Sequence, residues 1–174
     1  MGEGAVGKTS FRQRVLTGEF EDRYIGTIGI NFGTHEMMLG DTFVKISLWD
    51  PAGQKAYTKA RIRYSAGSAG GLVLFDVTRR ETFTELYDKW ITVFWESNER
   101  KVPLVIIGNK TDLVSERQVQ ASEAEAFAAA LSEECDFTIP YIETSVKEDL
   151  NITKAVECLV RFILDQNQAR ETTD

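Results

Sequence analysis

The chain has 174 residues, the size of one ordinary domain, and its 43% apolar residues suffice for a single buried core. Against 27 acidic residues stand 20 basic ones, and the net charge of −7 argues against duplex nucleic acid or an anionic membrane surface as partner. The longest apolar runs, near Gly71–Phe75 and Val102–Ile107, are too short to cross a bilayer, and no charged-then-apolar leader opens the chain. Cys135 and Cys158 sit in amphipathic stretches without metal-ligand spacing, as reduced thiols of a cytosolic protein would.

In chain order, a glycine-rich stretch comes first and an amphipathic run follows it. Thr42–Trp49 alternates as a strand, with Val44, Ile46 and Leu48 on one face and Lys45 and Ser47 on the other. Gly71–Val77 is a compact apolar run of buried-strand type. Phe83, Leu86, Tyr87, Trp90, Val93 and Phe94 then follow helical spacing, so Trp90 and Trp95 are core or half-core and no aromatic platform for bases is expected. Leu104–Ile107 is a second buried strand. Ala124, Phe127, Ala128 and Leu131 form a helix face behind a Ser122 cap. Ile139–Ile142 is the last strand, and Ile152, Ala155, Val156, Leu159, Phe162 and Ile163 mark a final helix behind Asn151. Alternating strands and helices give an α/β fold, a mostly parallel sheet with helices on both faces.

Gly2-Glu3-Gly4-Ala5-Val6-Gly7-Lys8-Thr9 fits the phosphate-binding loop G-x-x-x-x-G-K-[ST]. Its small residues let successive N–H groups face phosphate oxygens, Lys8 reaches the β- and γ-phosphates, and the Thr9 hydroxyl suits Mg²⁺. A helix N-terminus meets the same anion. Asn109-Lys110-Thr111-Asp112 follows a buried strand, at the edge where parallel sheets bind ligands. A carboxylate there accepts from N1–H and the 2-amino group of guanine, a donor pair that adenine lacks. Asn109-Lys110-Thr111 and Asn151-Ile152-Thr153 also match a glycosylation sequon, which the absence of a leader disfavours. In Trp49-Asp50-Pro51-Ala52-Gly53-Gln54, Asp50 can hold Mg²⁺ through water, Gly53 can donate to the γ-phosphate and Gln54 can orient a water. Taken alone, that stretch reads first as a turn leaving a strand.

In their order and spacing these motifs resemble the small GTPases of the Ras superfamily over nearly the whole chain. Tyr24-Ile25-Gly26-Thr27-Ile28-Gly29-Ile30-Asn31-Phe32 and Ser47-Leu48-Trp49-Asp50 are most similar to Rab proteins. The resemblance implies the phosphate-loop G-domain fold over residues 1–166, with a polar tail at 167–174. It also implies GTP and GDP as substrate and product, with Mg²⁺ as cofactor, and a switch that relaxes on hydrolysis. Thr27, 18 residues after Thr9, then binds Mg²⁺ and senses the γ-phosphate. Tyr24 folds over the phosphates and Phe20 lies against guanine. Asn109 and Asp112 read the base, the Lys110 stem packs on the ring, and Ser145, Val146 and Lys147 form the last guanine-contact motif. Gly4, Ala5, Val6, Gly7, Lys8, Thr9 and Ser10 cradle the phosphates. Gln54 is the catalytic residue, positioning the attacking water, and Gly4 keeps bulk away from it.

The chain also departs from the pattern. The family has a hydrophobic strand ahead of the phosphate loop, whereas Met1 directly precedes Gly2; the first central strand is expected to be missing, with poor nucleotide affinity if the chain starts there. Pro51 replaces a threonine, Lys55 a glutamate and Val146 an alanine whose position borders the base. Arg61 and Arg63 are expected to be solvated, with a partner supplying the catalytic arginine. Neither terminus carries a lipidation pattern. The expected protein is a monomeric, cytoplasmic GTP-hydrolysing switch in vesicle traffic. It would act with an activating protein, an exchange factor and effectors, at endomembranes if a lipidated tail is missing. The alternative is a scaffold that binds partners without turnover.

Overall fold

The computed structural model describes residues 1–20, 30–51, 62–63 and 65–171. After the glycine-rich loop comes helix α1 (Lys8–Thr17), then strands β1 (Ile30–Leu39) and β2 (Thr42–Pro51). Strand β3 (Gly71–Asp76) leads into α2 (Arg80–Thr84), a π-helical turn at Tyr87–Ile91 and α3 (Thr92–Ser97). Strand β4 (Leu104–Asn109), a short 3₁₀ turn at Val114–Glu116, α4 (Ala121–Glu133), β5 (Tyr141–Thr144) and α5 (Ile152–Glu171) complete the order. The α/β reading stands.

Strands β3, β4 and β5 pair in parallel, with Gly71 opposite Leu104 and Ile106 opposite Tyr141. Each side chain row of these strands meets a helical layer, as the unbroken apolar runs require. Val73, Phe75, Leu104 and Ile106 pack with Leu86, Trp90, Phe94, Ala128 and Leu131 on one face. Leu74, Val105 and Ile107 pack with Phe11, Val156 and Leu159 of α1 and α5 on the other. Trp90 and Trp95 are core residues, and both cysteines are free and half-buried.

Strands β1 and β2 form an antiparallel hairpin around Gly40, with Phe32 opposite Trp49 and Ile30 opposite Pro51. Val44, Ile46 and Leu48 are sheltered while Lys45 and Ser47 are exposed, as their alternation predicts. Strand β1 has no counterpart among the elements read from the sequence. Its polar Asn31, Thr34, His35 and Glu36 dilute the apolar alternation that gave β2 away.

Among the described residues the hairpin and the three-stranded sheet share no ladder. Along the outer edge of β3, Met1 N–H donates to Leu72 O at 2.6 Å and Leu74 N–H donates to Met1 O at 2.8 Å. That is a single rung of parallel pairing ahead of the loop. Between the two sheets runs a groove of about 680 Å³, lined by Ile46, Leu48, Leu72 and Leu159 among others.

One expected cap is corrected. Helix α4 begins after Gln120, not Ser122, and no side chain caps it. Asn151 precedes α5, but its amide donates to Glu143 O at 2.8 Å and so ties the helix start to β5. The predicted helix over 83–94 is likewise interrupted by the π-helical turn, which rotates Trp90 and Ile91 fully into the core. Helix α5 itself runs to Glu171, past the boundary expected at residue 166.

Ile106, fully buried in the middle of the sheet, measures how far the fold rests on this packing. Ile106→Ala should lower unfolding free energy by about 2–5 kcal/mol in urea titration, with an unchanged m-value.

Candidate functional site

Residues 2–7 curl because three of them adopt positive φ, Gly2 at 141°, Ala5 at 61° and Gly7 at 98°. Gly7 cannot be enlarged, since a Cβ there would lie 2.4 Å from Asn109 Nδ2. The Gly4 N–H is taken by its neighbour Glu3 at 2.9 Å, and Lys8 Nζ donates to Glu3 O at 2.8 Å. The N–H groups of Ala5, Val6 and Gly7 meet no acceptor among the described residues. Successive unpaired amides at the start of α1, beside an ammonium, make a nest for an anion. Ser10 stands in the first turn behind them.

At the end of β2, Asp50 is 4% exposed and accepts the Thr9 hydroxyl on Oδ2 at 2.6 Å. Its other oxygen, Oδ1, is buried without a partner among the described residues. A buried carboxylate oxygen left unpaired is costly, and a hydroxyl beside it supplies a second oxygen ligand. Thr9 and Asp50 therefore fit a hard divalent cation next to the anion nest.

Asn109, at the C-terminal end of β4 and 2% exposed, joins three segments. Its Nδ2 donates to Val6 O in the loop at 2.9 Å. Its Oδ1 accepts the Thr144 hydroxyl at 3.1 Å and Val146 N–H at 3.3 Å. The side chain, expected to read a base, uses Oδ1 and one N–H of Nδ2 to hold the loops together, and its burial is incompatible with a glycosylation site. Asp112 Oδ1 accepts the Ser145 hydroxyl at 2.6 Å, while Oδ2 has no partner among the described residues. That free carboxylate oxygen lies on the loop after β4, as the sequence predicts.

Val146 is 3% exposed and packs into the core of the α1/α5 face, so its branched side chain does not line an open edge. Its carbonyl accepts two bonds from Arg14 of α1, at 2.9 and 3.1 Å, and Lys147 O accepts a third at 3.1 Å. Arg14 also lies 5.7 Å from the Phe20 ring centre, which anchors that aromatic near the same loop. Lys147 itself is exposed.

Sequence reasoning passed over Asp76, the last residue of β3 and 1% exposed. Lys110, at φ 70°, brings its ammonium to Asp76 Oδ2 at 2.6 Å. Thr78 donates to Oδ1 through N–H at 2.9 Å and hydroxyl at 2.6 Å. Arg79 Nε reaches Oδ2 at 3.3 Å, and Arg79 Nη2 donates to Gly4 O at 2.7 Å. Burial pushes the Asp76 carboxyl upward, but the bonds from Lys110 and Thr78 prevail and hold it below 3.8. The available signal was an acid ending a buried parallel strand, the position where such sheets place ligands.

The glycine-rich loop, the Thr9–Asp50 pair and the loop after β4 thus come together beside the C-terminal ends of β3, β4 and β5. Tyr24, Thr27, Gly53, Gln54, Lys55 and Arg61 lie outside the described residues, and Arg63 is exposed.

Comparison with known proteins agrees with this arrangement. The model of the Ras family matches residues 1–165. Rab-3 of Caenorhabditis elegans, a Ras-related protein, is 34% identical over 166 residues, covering 95% of this chain and 73% of that protein. The Ypt/Rab-type GTPase ypt7 of Schizosaccharomyces pombe is 34% identical over 170 residues, covering 95% and 80% respectively. The GTP-binding protein ypt3 of the same yeast is 30% identical across 100% of this chain and 79% of its own length.

Asp76 gives the site a pH signature. Its lowered carboxyl contributes stability that is complete above the unfolded value of 3.8 and is lost as pH falls through the folded one. Asp76→Asn should cost about 1–3 kcal/mol at pH 7 in chemical denaturation and flatten the dependence below about pH 4.

Proposed function

The chain belongs to the Ras family as a small GTPase of Rab type, and on that premise we propose a guanine-nucleotide switch that hydrolyses GTP to GDP and phosphate. Its setting is membrane traffic, through an activating protein, an exchange factor and effectors. The observation that carries the reading is the convergence of three loop amides and an Asp112 oxygen, all without partners among the described residues, with the Thr9–Asp50 pair.

In this reading the amides of Ala5, Val6 and Gly7 and the Lys8 ammonium bind the phosphates. Thr9 and Thr27, with Asp50 through water, would hold Mg²⁺, which would supply positive charge to offset that of the phosphates. Asp112 accepts from the guanine edge, while Ser145 fixes its rotamer. Lys110 and Phe20 flank the base, and Tyr24 and Gly53 close on the phosphates. Gln54 orients a water that attacks the γ-phosphorus as the bond to the β-phosphate oxygen breaks. Free phosphate and GDP leave.

Phe32, 68% exposed, stacks on Trp49, 49% exposed, with ring centres 5.5 Å apart. An exposed aromatic pair on the hairpin that carries Asp50 offers nucleotide-sensitive partners a surface. No helix among the described residues is long and apolar enough to cross a membrane. The polar tail proposed for residues 167–174 would lie beyond the nucleotide-binding domain. No feature of the described site favours the scaffold without turnover.

The test is displacement of fluorescent GDP in Mg²⁺. GTP should compete, ATP should fail even at about 100-fold excess, and Asp112→Ala should erase the preference for guanine over hypoxanthine. Equal competition by ATP refutes the guanine assignment. Gln54→Leu should slow single-turnover hydrolysis about tenfold or more while GDP binding is kept.

A further inference from the structure

Arg79 stands at the N-terminal boundary of α2, on a loop whose backbone is itself clamped. Its carbonyl accepts the Thr82 hydroxyl at 2.7 Å, and its N–H donates to Asp76 O at 3.0 Å. From this fixed base the guanidinium divides its donors between buried Asp76, through Nε at 3.3 Å, and Gly4 O, through Nη2 at 2.7 Å. A planar fork can serve two acceptors in one geometry, which a point charge cannot.

Gly4 O belongs to the Gly4–Ala5 peptide, and no peptide bond among the described residues is cis. In a trans peptide the carbonyl and the following N–H point in opposite directions. Holding the carbonyl toward Arg79 therefore aims the Ala5 N–H away from it, and that amide has no acceptor among the described residues. Ala5 also sits at φ 61°, a conformation that an alanine keeps only when its surroundings impose it. The side chain of Ala5 is exposed, so packing does not impose it. A charged donor on the carbonyl further polarises the amide it belongs to.

We propose that Arg79 is a positioning residue for phosphate binding: it locks the Gly4–Ala5 peptide so that the Ala5 amide is presented to an anionic phosphate. The inference rests on the nucleotide reading only in naming the phosphate donor. Through Asp76 the same side chain shares an anchor with Lys110, so one guanidinium links the phosphate loop to the base-side loop.

The experiment measures GDP, IDP and inorganic pyrophosphate binding by calorimetry to the full chain and to its Arg79→Ala and Arg79→Lys variants. Arg79→Ala should weaken GDP and pyrophosphate alike by about tenfold, with the GDP-to-IDP preference unchanged and the thermal melt within a few degrees. Arg79→Lys, able to reach one acceptor, should recover part of the loss. Unchanged affinities in Arg79→Ala overturn the proposal, and so does a collapse of the GDP-to-IDP preference, which marks general damage to the base loop. Pyrophosphate binding without guanine preference in the unmodified chain refutes the nucleotide reading yet still tests Arg79. Binding of neither ligand refutes both.

Discussion

Everything at the ligand edge depends on one buried amide. Asn109 donates to Val6 O and accepts from Thr144 and Val146, so a single side chain sets the spacing of three loops. Each bond is modest by itself. Removing the amide would leave three buried or half-buried polar groups unpaired, and that cost exceeds what the bonds contribute. The tie also explains Gly7, where any side chain would occupy the space the amide needs.

Around that tie the cationic residues are arranged by where carboxylates and carbonyls already stand. Lys110 and Arg79 both end on Asp76, Lys8 ends on Glu3 O, and Arg14 ends on the carbonyls of Val146 and Lys147. In a chain with a net charge of −7, these four cations are gathered at the edge proposed to bind the nucleotide. Each of these cations is held in place by a specific acceptor.

What the sequence disclosed follows from the reach of each signal. Buried parallel strands at Gly71 and Leu104 show as unbroken apolar runs, and the phosphate loop shows because its chemistry demands glycines at fixed spacing. Strand β1 did not show, since its exposed positions include Phe32 and Met38 while its sheltered ones include Gly33 and His35. Ser122 looks like a cap by type, but helix α4 begins at Ala121, ahead of it. Asn109 was visible as a site residue, yet its bonding was not, because its partners lie 103 and 35–37 residues away. Asp76 and Arg79 belong to no short motif. Their role exists only once β3 and the loop lie side by side.

The division of the sheet gives the Thr9–Asp50 contact a mechanical meaning. The β1–β2 hairpin is not hydrogen-bonded to the β3–β4–β5 sheet among the described residues, and it packs on α1 instead. Asp50 is the hairpin's last buried acid, and its bond to Thr9 joins that hairpin to the phosphate loop helix. Its spare oxygen points to a cation as the group that would strengthen this joint. A ligand bound across such a joint stabilises the state in which both parts are in register, by an amount set by its affinity for that state over the other. The same hairpin displays the Phe32–Trp49 stack on its exposed side. The phosphate edge and the aromatic surface are thus joined by a single strand, β2, which carries both Asp50 and Trp49.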